Sequence, residues 1–169
     1  MTDYSIVPTA GQPHLAKDLI EYLVASMLAT GSAANFVDGI PDNNAAEDLS
    51  KIYLLPYYLE DKPANCGVVR VMDSSPDDWS PIRKAQVTIV FRQPTASSIS
   101  AQKRAMAAAE AVAQFLRPDG QLRTYATLTS NRVVLAFSQV MTRPEGEDGA
   151  HRFMAAVEFT ITYRDINVP

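Results

Sequence analysis

The chain has 169 residues, 47% of them apolar, with 15 basic against 19 acidic side chains and a formal charge of −4. That length can bury about two-thirds of the unfolded surface in one core, so a single domain over residues 1–169 is expected. The acidic balance, with no window that gathers Lys and Arg into a stripe, argues against tight nucleic-acid binding.

The opening MTDYSIVPTAGQ has neither the positive n-region nor the apolar h-region of a signal peptide, and no stretch approaches about 18 apolar residues. Synthesis in the cytoplasm, with no membrane span, is the expectation. From His14 to Thr30, Leu15, Leu19, Leu23 and Met27 recur every four positions, with Ile20, Val24 and Leu28 beside them and Lys17, Asp18 and Glu21 expected to face away. This predicts an amphipathic helix that stops near Gly31. Residues 31–50, rich in Gly, Asn and Asp without a sustained period, predict a long surface loop.

Ile52 to Leu59 is aliphatic and aromatic, but Pro56 inside it cannot donate a ladder hydrogen bond, so an edge strand or two short pieces is predicted. Cys66, the only cysteine, excludes an internal disulfide and a multi-thiolate metal site, and beside Gly67 it reads as a packed thiol. Gly67 to Met72 predicts a short strand, followed by a loop over residues 73–81, where prolines, serines and aspartates make regular structure improbable. Lys84 to Arg92 alternates, with Ala85, Val87, Ile89 and Phe91 on one face, as a strand requires.

The segment SISAQKRAMAAAEAVAQFLRPDG is the clearest helix, with seven alanines from Ala101 to Ala113, Ser98 or Ser100 as cap, and Pro118 and Gly120 as stop. Its apolar face is Ala101, Ala105, Ala108, Val112 and Phe115, small enough for the axis to lie close to a sheet. Arg132 to Met141 is apolar on both faces and predicts a central strand. RPEGEDGAHR then links it to Phe153–Arg164, which alternates for twelve residues with Phe153, Ala155, Val157, Phe159, Ile161 and Tyr163 on one side. The fold class is therefore α+β: a mostly antiparallel β-sheet with two α-helices packed on one face and a long C-terminal β-hairpin.

Motifs for chemistry are scarce: there is no Walker-type loop, no GxSxG and no HExxH. The two histidines, His14 and His151, stand at a helix start and a hairpin loop, which argues against a histidine-based centre. Asp73, Asp77 and Asp78 near Trp79 are either turn-forming aspartates or oxygen ligands for a hard cation. Trp79 is a loop anchor or an interface residue. Glu145, Glu147 and Asp148 form a second acidic patch, which either keeps a strand edge soluble or makes a contact surface. Arg83, Lys84, Arg92, Lys103 and Arg104 are scattered and read as a solvated face. Candidate interface residues are Asp77, Asp78, Trp79, Glu145, Glu147, Asp148 and His151; no catalytic residue, metal ligand or cofactor is assigned.

The order of the helix HLAKDLIEYLVASML, the strand QVTIVFR, the helix ending AVAQFLRPDG and the closing hairpin VVLAFSQVMTRPEGEDGAHRFMAAVEFTITYRD resembles the tail terminator, or tail-completion, proteins of long-tailed bacteriophages. The resemblance spans nearly the whole chain. It implies a structural virion protein rather than an enzyme: a homo-hexameric ring that caps the tail tube at its head-proximal end, ends tube polymerisation and joins the connector or neck. Tail-tube protein and neck protein are the implied partners, and genomic DNA passes through the lumen without specific binding. Two other readings stay open. One is a different connector (stopper) ring or a tube subunit; the other is a small ligand- or metal-binding α+β domain or enzyme that uses the aspartates of residues 73–78.

Overall fold

A computed structural model of the chain describes residues 15–29, 36–38, 51–56, 65–74, 82–93, 98–117, 126–129, 132–147 and 153–165. In chain order these form α1 (Leu15–Ala29), β1 (Phe36–Asp38), β2 (Ile52–Leu55), β3 (Cys66–Ser74), β4 (Ile82–Gln93), α2 (Ser98–Leu116), β5 (Ala126–Thr129), β6 (Arg132–Glu147) and β7 (Phe153–Asp165). The strands make one seven-stranded sheet in the order β1-β2-β3-β4-β7-β6-β5. Pairing is antiparallel from β3 to β5, whereas β1, β2 and β3 run parallel. The class is the α+β, mostly antiparallel arrangement that the hydrophobic periods predict.

Alternation explains the middle of the sheet. Ala85, Val87, Ile89 and Phe91 of β4 lie directly across from Ile161, Phe159, Val157 and Ala155 of β7, all buried on one face. Both helices cover that face. Ala105, Ala108, Ala109, Val112 and Phe115 of α2 join the same core as Leu15, Leu19, Ile20 and Leu23 of α1. The alanines bring the α2 axis close to β4, β6 and β7. The opposite face carries a smaller core of Tyr53, Leu55, Cys66 and Val68.

α1 touches β1, β2 and β3 at one border of the sheet and β5 at the other. It makes no comparable contact with β4 and β7 between them, where α2 lies, although a helix laid across a flat sheet from border to border would have to cross both. The sheet therefore curls around its helices. This is why Asp18, expected to face away, is buried at 3% exposure: the concave sheet encloses more of α1 than one stripe, while Lys17 and Glu21 stay exposed.

Other expectations are corrected. β2 is not an edge: it stops before Pro56, as a strand must that cannot donate there, but β1 pairs outside it. β1 itself falls inside the predicted loop 31–50, whose other residues lie outside those described. β5 had no periodic signal in its four residues.

β6 is next to the edge rather than central, and it continues through Arg143–Glu147, where a loop was expected. A strict period of two puts Val134 and Phe137 on opposite faces. A register shift between Val134 and Ala136 inserts Leu135 and turns both toward the core, leaving Leu135 exposed at 36%.

Candidate functional site

Glu145 sits in β6 just before its end at Glu147, and Glu147 lies opposite Phe153 of β7. The other expected interface residues, Asp77, Asp78, Trp79, Asp148 and His151, lie outside the described residues, as does His14. Asp73 belongs to β3, opposite Ala85, rather than to a loop.

The strand ends that lead into the two acidic segments lie far apart. Residues 75–81 follow Ser74, which pairs with Lys84, and Lys84 in turn pairs with Thr162 of β7. Residues 148–152 follow Glu147, at the Phe153 end of the same strand. Phe153 and Thr162 are nine residue steps apart along β7, about 30 Å at 3.3 Å per residue. The strand ends from which the segments start therefore lie at opposite ends of the sheet.

At the Glu147 end the charges are organised around Arg143. Its guanidinium donates to Glu145 on its own strand and, from Nη1 at 2.7 Å, pairs with Glu158 on β7. The hydrogen bond to Glu145 is the largest of the causes that hold Arg143 above its ordinary pKa; desolvation opposes it, and Glu158 adds to it. One cation thus bridges the two arms of the hairpin on the face opposite the helices. On the helix face the Thr142 hydroxyl donates to Glu110 of α2, and Arg117 lies 4.0 Å from the other oxygen of that carboxylate. The hairpin arm is tied to α2 there.

A second polar group was not signalled by the sequence. Asn65, Arg92 and Gln93 are all at or below 4% exposure where β3 begins and β4 ends. Asn65 Nδ2 donates to the Lys51 carbonyl at 2.6 Å, the Gln93 amide donates to Asn65 Oδ1, and the Asn65 carbonyl accepts from the Tyr53 amide at 3.2 Å. Arg92 Nε donates to the Cys66 sulfur at 2.9 Å. Cys66 is the packed thiol expected, but Arg92, expected on a solvated face, is its buried partner. This group joins β2, β3 and β4. Each of these side chains makes a hydrogen bond where burial would otherwise leave a polar group open.

Among the described residues, no group of three His, Cys, Asp or Glu side chains is placed to hold a metal ion. No described helix is long and apolar enough to cross a membrane. No protein-family model matches the chain, and no curated protein matches it at a significant level.

Proposed function

We propose that the chain is a structural virion protein, a tail terminator whose ring caps the phage tail tube and forms the joint to the head or neck. The observation that carries the reading is the long β6–β7 hairpin together with the separation of the strand ends Ser74 and Glu147, which lie at opposite ends of one sheet. A subunit with separate contact regions at its two ends suits a ring that has one assembly below it and another above. Closure of such a ring needs a head-to-tail interface repeated around an axis. The α+β class of the fold is also what the family resemblance implies.

The test is negative-stain electron microscopy of tail particles that co-purify with the tagged chain from its native context, with the tag labelled. Label at the head-proximal end of tubes is the expected result. Label along the tubes would replace this reading with that of a tube subunit. Label on a neck particle that carries no tube would point to a different connector ring, and a chain purified free of any tail particle would sink the virion reading.

A further inference from the structure

β7 is paired along both sides, and the two sides differ. Against β4 it makes twelve consecutive pairs, from Arg164 opposite Ile82 to Phe153 opposite Gln93, without a shift. Against β6 the register breaks three times: between Val134 and Ala136, between Ser138 and Met141, and between Pro144 and Gly146. One strand is regular on one side and interrupted on the other, so the irregularity belongs to β6. Each break adds one residue to β6, and Gln139 within the second adopts φ +54°, a left-handed backbone uncommon for a non-glycine residue.

The breaks fall on a long strand whose outer side, among the described residues, is paired only by β5. β5 pairs with β6 only as far as Val134. The stretch from 142 to 147 also holds Pro144, which lacks an N–H, and the charged Arg143, Glu145 and Glu147. A regular sixteen-residue edge, about 53 Å long, would present a row of backbone donors and acceptors to any other extended chain.

We propose that the three breaks in β6 block self-association: they keep the outer edge of this strand from pairing with the same strand of a second copy of this chain. The inference is independent of the ring reading, because subunits can meet through side chains and strand ends without extending a sheet. The other borders are blunted by length, since β1 has three residues and β5 four.

The test regularises the edge. Deleting Gln139 and Glu145 and making Pro144→Thr removes two of the extra residues while Ser138, Met141 and Gly146 keep their partners Thr160, Glu158 and Met154. The folded variant, checked by near-ultraviolet circular dichroism, is expected to form thioflavin-T-positive assemblies at concentrations where the parent forms none. A folded variant that stays unassembled overturns the proposal. Hydrogen exchange on the parent gives a readout that needs no variant. Amides of residues 142–147 should exchange at a rate independent of protein concentration, and slowing by about tenfold or more on concentration would show that the native edge does pair, and would equally overturn it.

Discussion

Phe91 lies directly across from Gly67, and its ring fills the space a side chain at position 67 would need. A Cβ built there would stand 2.7 Å from Phe91 Cε1 and 2.8 Å from Leu54 Cδ2, and both of those side chains are fully buried. Phe91 in turn packs on Phe36 of the border strand with ring centroids 5.7 Å apart. Gly67 thus lets one aromatic ring connect the middle of the sheet to its parallel border. Gly67→Ala should cost about 1–3 kcal/mol, as overpacking of a filled core does. A lowered urea midpoint with an unchanged slope would show it; an unchanged midpoint would mean that the rings move aside freely.

Asn65 is the hub of the buried amide group, and Asn65→Ala removes the partners of both the Gln93 amide and the Lys51 carbonyl. Leaving such groups unsatisfied costs about 1–3 kcal/mol. The double variant Asn65→Ala with Gln93→Ala should lose less than the sum of the two single changes, since the second removes a group already stranded. Strict additivity in chemical denaturation would refute the coupling.

Phe137 stacks on Tyr22 of α1 at 6.5 Å and meets Phe159 of β7 edge-on at 5.9 Å. These contacts fasten α1 to the far half of the curled sheet. Phe137→Ala should destabilise by about 2 kcal/mol, below the range for a fully buried ring because Phe137 is half-buried. Proteolysis at sub-denaturing urea should cut α1 faster in this variant than in the parent; equal rates would remove the fastening role.

Arg143 is well exposed, so its pairs with Glu145 and Glu158 lie in a screened environment. The group's pKa is raised in the folded state. Stability from a raised basic group is fully present below the unfolded value and is lost only as pH rises through the folded one, beyond the ordinary range of arginine. Between pH 5 and 9 the Arg143→Ala variant should therefore differ from the parent by a constant amount on account of Arg143. The difference should shrink as salt is raised. A difference that instead changed sign across this pH window would refute the assignment of the hub.

Under the ring reading, Glu145→Lys with Glu147→Lys should lower the melting temperature only slightly, through loss of the exposed Arg143–Glu145 pair, and abolish capping of tubes. Deletion of residues 145–148, which also shortens a paired strand, should abolish capping with some loss of stability. Normal tails assembled from the charge-reversed chain would exclude this end of the sheet as a contact.

Strands with one buried face were legible in the sequence because a period of two survives wherever pairing is regular, as in Ala85, Val87, Ile89 and Phe91, or in β7. The helices were legible from the four-residue recurrence of Leu15, Leu19 and Leu23 and from the alanines of α2. β6 was misplaced because its bulges mix two phases, so that Val134 and Phe137 share a face and a next-to-edge strand mimics a two-sided central one. Burial of Asp18 and Arg92 depends on sheet curl and on a cross-strand thiol, neither of which has a local signal. Of the expected interface, Glu145 and Glu147 were found on a paired strand, and the rest lies outside the described residues.

The position of β7 between β4 and β6 sets the order in which the molecule can be built. β7 follows the six other strands in the chain yet sits inside the sheet, joining residues 82–93 to a partner synthesised some seventy residues later. While the ribosome is still delivering Phe153 to Asp165, β4 has no neighbour on that side and β6 has no partner for its hairpin. The nascent chain therefore waits with its central apolar face incomplete and folds in a late, cooperative step dominated by distant contacts. Stalling or truncation before Phe153 should yield an aggregation-prone fragment rather than a smaller folded protein.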